Sequence, residues 1–415
     1  MTTEKRNRAI PASPEVPCPA SVSSLSNLED LIFSERRLSL CGMAFLVAYV
    51  AAFAIRFVAG KWMIDREGWP VLLDFVWIWM GGRFALAHNA AGVFNHSLFS
   101  SAQASLIGKA PASAALYQYW VYPPTLLLAA APLALLPYAA AFLVWIGATL
   151  CVYLAAIYAI LPCTLSIVLA LLPCAVIMNV FVGQTAFLTA GLLGFSLVFM
   201  QRRPYLSGVL LGLLTYKPQF GVFFSVALLV TRQWGVIAGA IASASLLAAA
   251  AAFLFGADAW VLFARSLQAH NPATFLPNYT LEAMNQTVFG LMHWAGAGVI
   301  VSWSVHLAVA VPAAALACWL WMRPGPYQLK AAAFGLAVLI ASPYVLIYDL
   351  TALSVPAAFI VADALASGFL PGERLALLGC FLALFLFVLM PIGPIAMLVM
   401  LGLVVRRASY ATNAA

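Results

Sequence analysis

From residue 39 onward the chain is a succession of apolar runs, most of them near the ~20 residues that a helix needs to cross bilayer hydrocarbon. The first occupies 39–60. Later ones fall at 122–136, 138–160, 163–181, 184–200, 204–231, 234–256, 294–321, 331–347, 348–367, 375–391 and 393–405. With 65% of the residues apolar and 8% charged, the chain cannot cover one globular core with a wet surface. The expected fold is all-α: a polytopic transmembrane helical bundle with roughly ten to twelve segments of about 20 residues.

A net charge of +7 does not point to nucleic acid, because the basic residues stand in small groups between the apolar runs. Arg36/Arg37, Arg202/Arg203, Arg232, Arg323, Lys330, Arg374 and Arg406/Arg407 read as cytoplasmic markers of topology. Residues 1–37 are rich in Ser, Pro and charge, and are expected to form a disordered cytoplasmic tail. The first apolar run is of span length and carries no sign of a cleavable signal. Residues 38–407 then form one transmembrane domain, and 408–415 a short cytoplasmic tail. Of seven cysteines, Cys41, Cys151, Cys163, Cys174, Cys318 and Cys380 lie in apolar runs, without metal-like spacing, and read as small core residues.

Two features depart from simple spans. The stretch 61–120 is long and, from His88 to Lys109, too polar to cross, while its start is apolar and aromatic, as suits helices in the membrane interface. The arginines at 202/203, 232, 323, 374 and 406/407 can share one side only if 204–231 enters and returns as two short helices. The tip of that hairpin falls at Lys217-Pro218, where proline disfavours helix in the residue before it. The same reasoning puts Gly183-Gln184, the 256–293 loop and the 343–349 stretch on the outer side. Four apolar segments between the long loop and Arg202 would put that arginine outside, unless 122–136, bracketed by Pro123-Pro124 and Pro137, is re-entrant.

Only thirteen acids occur, five of them in the tail, so each acid near the bilayer has to be explained. An ionised carboxylate in hydrocarbon costs roughly 2.5–3.5 kcal/mol even on lenient insertion scales, and normally faces water or protein. Asp74, in LLDFVWIWMGGR, shares a helical face with Trp77, Ile78 and Gly81, whereas Arg83 falls opposite unless Gly81-Gly82 breaks the helix. It is either an interfacial or capping acid, or a base at the mouth of a cavity that activates a hydroxyl. Lys217, the one lysine inside an apolar run, either snorkels or neutralises phosphate oxygens from a broken helix tip. Gly208 and Gly212 let that short helix pack closely.

Asp349, after Ser342-Pro343-Tyr344 and Tyr348, either caps the next helix or lines a pocket. Gln184, Asn285 and Gln286 are turn residues or ligands of sugar hydroxyls. The histidines, His88, His96, His270, His293 and His306, form no metal-binding motif, so no metal site is expected. Neither a nucleotide-binding loop nor any other cofactor motif is present. Two glycosylation triplets, Asn278-Tyr279-Thr280 and Asn285-Gln286-Thr287, fall in an outer loop.

In order, LLDFVWIWMGGRFAL, YWVYPPTLLLAAAPLALLPYAAAFLVW, GQTAFLTAGLL, RRPYLSGVLLGLLTYKPQFGV, MNQTVFGL and SPYVLIYDL resemble the pattern of glycosyltransferase family 87 over about 70–355. The family belongs to the C-type superfamily of integral-membrane enzymes, typified by polyprenol-phosphate-mannose-dependent alpha-mannosyltransferases. The resemblance implies a polyprenyl-phosphate sugar donor, a lipid or glycan acceptor, and a periplasmic active site with a catalytic Asp in the first outer loop. That position is Asp74. The KPQ element matches Lys217, Pro218 and Gln219, and the SPxxxxYD element runs from Ser342 to Asp349, where some relatives carry His.

An activated lipid-phosphate sugar needs no nucleotide, only a base for the acceptor and a cation for the departing phosphate. The expected roles are therefore Asp74 as general base, Lys217 as donor-phosphate ligand, and Gln184, Gln219, Asn285, Gln286, Tyr348 and Asp349 as pocket lining. A secondary transporter or lipid flippase is the rival reading, since broken helices and midplane charges also mark transport sites. A non-catalytic scaffold is a third.

Overall fold

The computed structural model describes residues 35–71, 73–106, 120–269 and 283–413. The tail before residue 35, the Asn278 triplet and His270 lie outside them. The described residues are helical, without a strand, and their only β-type pairings are isolated bridges such as Asn285 with Leu346. Among the described residues, six helices are long and apolar enough to cross a membrane, and a seventh span results if one bent pair counts as a single crossing.

Helix α1 (Glu35–Val58) precedes the long loop, which carries α2 (Asp74–Leu86) and α3 (His96–Leu106). The apolar body then runs through α4 (Leu127–Leu133), α5 (Tyr138–Ile160), α6 (Leu165–Leu171), α7 (Cys174–Val182) and α8 (Ala186–Phe199). Next come α9 (Pro204–Leu213), α10 (Pro218–Val230), α11 (Trp234–Phe255) and α12 (Ala257–Ala269). The chain closes with α13 (Val288–Trp294), α14 (Val299–Met322), α15 (Tyr327–Ala341), α16 (Ser354–Ser367), α17 (Glu373–Ala383) and α18 (Gly393–Asn413). The last helix thus continues six residues past 407, into the stretch expected as a tail.

Close approaches fix the direction of each pass. A Cβ on Gly183 would meet Phe142, one on Gly191 Val152, and one on Gly194 Ala156, so α5 and α8 run parallel. The chain between them must return, and it does so through α6 and α7, bent by 62° where Pro173 interrupts the helix. Helix α4 has only seven residues, and the carbonyl of its Ala130 lies 2.1 Å from where a Cβ on Gly82 would be, packed under α2. It turns back, and the chain then runs along the bundle through α5, the bent pair α6/α7 and α8 before it reaches Arg202.

The same logic confirms the hairpin. A Cβ on Gly208 would lie 2.0 Å from Val236 O, and one on Gly212 1.8 Å from Ser243 Oγ, while Gly235 adjoins Pro204. Helices α9 and α11 are therefore parallel, and α10 must bring the chain back between them. Arg203 and Arg232 share one end of the bundle and Lys217 sits at the far tip. Tyr327, just past Arg323, donates its hydroxyl to Leu197 O near the same end.

Also at the arginine end, buried Arg407 pairs with Asp363 at 2.7 Å and with Glu373, and donates to Ser367 Oγ at 2.6 Å, clasping α18 to α16 and α17. Nothing in the local sequence had marked these two acids. Cys174, Cys318 and Cys380 are buried, but Cys41 and Cys151 are exposed. The expectation that every apolar-run cysteine is core is thereby corrected for those two. An outward helix face in an apolar solvent tolerates a thiol as readily as a core does.

Candidate active site

Asp74 is the first residue of α2. The helix begins there because Leu73 is extended (φ −125°, ψ 164°), and an acid in the first turn suits the positive end of the helix dipole. Residues Phe75 to Gly82 of α2 are all buried, so the helix is inserted into the body of the protein. Gly81 and Gly82 do not break it. They admit the ring of Trp120 and the backbone of Ala130, which any side chain at these positions would strike. Arg83 is exposed on the opposite face, 5.4 Å from the ring of Trp79, and forms no pair with Asp74.

Gln184 reaches Asp74 from a separate element. Gly183 ends α7 in the left-handed region (φ 76°), where a Cβ would lie 2.5 Å from Phe75 Cβ, so only glycine allows the chain to turn against α2 here. Trp145 Nε1 donates to Gly183 O at 3.1 Å and holds the turn. The Gln184 amide then donates from Nε2 to Asp74 Oδ2 at 3.0 Å. Its Oε1 accepts from the Tyr122 hydroxyl at 2.7 Å and from the Thr185 amide at 3.0 Å.

Lys217 occupies the break between α9 and α10, with φ −125° and ψ 74° outside the helical region, as expected before a proline. It does not snorkel. The residue is 4% exposed and its ammonium pairs with Asp349 Oδ1, itself 2% exposed. The ring of Tyr348 lies 5.4 Å from Nζ. Asp349 has two tasks, since its Oδ2 also accepts from Leu346 N at 3.2 Å and caps the 3₁₀ turn Ile347–Leu353. Tyr216 and Thr189 share a hydroxyl contact of 2.9 Å that ties the hairpin tip to α8.

Asp74 is partly accessible. Burial pushes its carboxyl up to about 6, while the Gln184 hydrogen bond, the charge of Lys217 and its own backbone amide pull it down, and the charge of Asp349 pushes it up. Lys217 and Asp349 therefore act on Asp74 by Coulomb interaction across one local region. Burial first, and then the charge of Asp74, hold the Tyr122 hydroxyl well above its ordinary value, so it remains a donor. Tyr344 is raised by burial and by Asp349 and Asp74.

Asn285 and Gln286 reach the same end but are committed elsewhere. Gln286 N donates to Val345 O at 2.7 Å, its Nε2 to Ala283 O at 2.6 Å, and its Oε1 accepts from Gly393 N at 2.8 Å. The amide expected to meet a sugar instead joins its own segment to Gly393, while the Gln286 backbone N–H joins it to Val345. Asn285 is 2% exposed and accepts from Thr287 Oγ1 at 3.1 Å, which also removes it as a glycan acceptor. Gln219, on the first turn of α10, is partly exposed and makes no side-chain hydrogen bond among the described residues. Tyr122 was not singled out from sequence. Its only local sign was its place before Pro123-Pro124. A cavity of about 380 Å³ beside Trp69, Trp79, Arg83 and Phe84 lies on the other face of α2 and does not include Asp74.

The family model of glycosyltransferase family 87 matches residues 120–343, just over half of the chain. The protein belongs to glycosyltransferase family 87. No curated protein and no solved structure matches it. Family membership makes the chain a membrane glycosyltransferase that works on a sugar donor and an acceptor. The matched segment holds Gln184, Lys217, Gln219, Asn285 and Gln286. Asp74 lies before it, and Tyr348 and Asp349 just after. The hydrogen bond from Gln184 and the ion pair of Lys217 join these outlying acids to the segment that carries the family match.

Proposed function

We propose that this glycosyltransferase moves a hexose, mannose by family default, from a polyprenyl-phosphate sugar to a hydroxyl of a lipid or glycan acceptor. The reaction belongs at the periplasmic face of the inner membrane, and the anomeric centre inverts. Asp74 takes the proton of the acceptor hydroxyl while the oxygen attacks the anomeric carbon. The bond to the donor phosphate breaks, and its electron pair leaves with the polyprenyl phosphate. Lys217 carries the charge complementary to that phosphate, with Tyr348, Tyr344 and Asp349 around it.

The observation that carries this reading is that Asp74 and Lys217, 143 positions apart in sequence, are both tied to the start of α8: Gln184 just before it holds Asp74, and Thr189 within it holds Tyr216, the neighbour of Lys217. The end opposite the arginine groups is the outer end by the charge asymmetry of membrane proteins, which supports a periplasmic site.

The test is transfer in vitro, with purified protein, polyprenyl-phosphate sugars and a membrane-lipid extract, comparing wild type with Asp74→Asn. Product from wild type and none from the variant is expected. Equal product from both removes Asp74 as the base. Counterflow of labelled lipid in proteoliposomes without any sugar transferred would favour a flippase.

A further inference from the structure

We infer that Gln184 is the positioning residue of the site: its amide, locked by Tyr122 and the Thr185 backbone, occupies Asp74 Oδ2 and leaves Oδ1 as the atom that receives the acceptor's proton. The inference rests on the reading of Asp74 as the base and goes one step beyond it, to the atom that acts and the residue that selects it.

The orientation of a glutamine amide usually has to be assigned, because its nitrogen and oxygen look alike. Here chemistry decides it. A backbone N–H can only donate, and the Thr185 amide points at one end of the Gln184 side chain from 3.0 Å, so that end must be the oxygen. The Tyr122 hydroxyl approaches the same atom at 2.7 Å, and its proton is held by burial. The remaining end is the NH₂ group, and it faces Asp74 Oδ2 at 3.0 Å. A proton on Oδ2 would have to share that oxygen with the Gln184 N–H, which already takes one of its two lone pairs. Oδ1 has no such neighbour from Gln184, so the incoming proton goes there.

Gln184 is 4% exposed and Thr185 is fully buried, so the amide is not free to turn. Its backbone is fixed by the left-handed Gly183, which packs on Phe75, the residue after Asp74. The orienter and the base thus share one rigid contact. In the transfer step the acceptor O–H proton passes to Oδ1, the new C–O bond forms, and the C–O bond to phosphate breaks with its electrons on phosphate. The groups that bear on Asp74 electrostatically are Lys217 on the hairpin tip, Asp349 before α16, Tyr122, Tyr138 at the start of α5, and Tyr344 and Tyr348. Of these, only Tyr122 hydrogen-bonds Gln184.

The test is the pH dependence of kcat/KM for wild type, Asp74→Asn, Gln184→Met, Gln184→Glu and Tyr122→Phe. Met keeps the volume and removes the hydrogen bonds to Asp74, from Tyr122 and from the Thr185 amide. It should lower kcat/KM roughly ten- to a hundredfold and move the acidic limb upward by about one pH unit, because a hydrogen bond to the charged form is lost. Glu is expected to turn the profile into a bell: while protonated it donates an O–H to Oδ2 in place of the amide, and activity falls again at the pH where it ionises beside Asp74. Tyr122→Phe should leave the limb in place, since the Thr185 amide still orients Gln184. Loss of activity in Gln184→Met with an unmoved limb overturns the inference and leaves the base intact, as does a Gln184→Glu profile of wild-type shape. Activity in Asp74→Asn overturns the base itself. If Gln184→Met does not fold, as judged by its elution profile in detergent, the Gln184→Glu profile decides alone.

Discussion

Asp349→Asn removes the counter-ion of a lysine that is 4% exposed, in the middle of an apolar body. The two carboxylate oxygens serve two donors, Oδ1 for Lys217 and Oδ2 for Leu346 N. Asparagine keeps one oxygen, so one of these donors is orphaned at a cost of about 1–3 kcal/mol. The lost charge pairing comes in addition, and breaking a buried pair from one side costs about 3–5 kcal/mol in total. Lys217→Met should cost a similar amount from the other side, by stranding the carboxylate. The double variant Lys217→Met/Asp349→Asn keeps an acceptor for Leu346 N and leaves no unpaired charge. It should therefore be less destabilised than the sum of the single variants by about 2–3 kcal/mol. The assay is reversible thermal or denaturant unfolding in detergent, completed as a double-mutant cycle. Sugar transfer should be lost in all three variants, because the double restores packing and not the cation. Single effects that add to within about 0.5 kcal/mol would show that the pair does not interact, and a double variant with normal donor KM would remove Lys217 from phosphate binding.

Two further outcomes follow from the same geometry. Because burial holds the Asp74 carboxyl at about 6, above the ordinary carboxylate range, the base is protonated below that pH. Wild-type kcat/KM should rise through about pH 6 to a plateau, whereas stability linked to this group runs the other way and declines as pH rises through the same value. A profile flat between pH 5 and 7 in about 0.15 M salt contradicts this. Gly208→Ala places a methyl group 2.0 Å from Val236 O, and separating α9 from α11 should cost about 1–3 kcal/mol, seen as a lower unfolding midpoint with reduced transfer as the Lys217 tip shifts.

Much of the fold was legible in the chain because the bilayer imposes a length and a composition on every crossing. The apolar runs at 138–160, 204–231, 234–256 and 294–321 reappear with small shifts as α5, the α9/α10 hairpin, α11 and α14. The hairpin in particular followed from arginine placement and from Pro218, two signals that agree without any knowledge of packing. The bend of α6 and α7 at Pro173 was less legible, since the apolar run passes through it unbroken.

For the site, sequence marked Asp74, Lys217, Gln184 and Asp349 as polar groups in apolar settings, where each must be compensated. It could not say what compensates each one. That Asp349 answers Lys217, that Gln184 answers Asp74, and that Asn285 and Gln286 spend their amides on backbone are facts of contact between segments 58 to 132 residues apart. The cost of an unpaired polar group in hydrocarbon is local, and it can be read from the order of residues alone. Its partner is chosen by how the helices cross, which here depends on glycines that admit a backbone and on turns that only glycine permits. Sequence by itself therefore determined that this is a many-pass bundle with a few obligatory polar contacts, and the tertiary structure decided which of them meet, because a charge in a low-dielectric interior takes whichever partner the packing brings within reach.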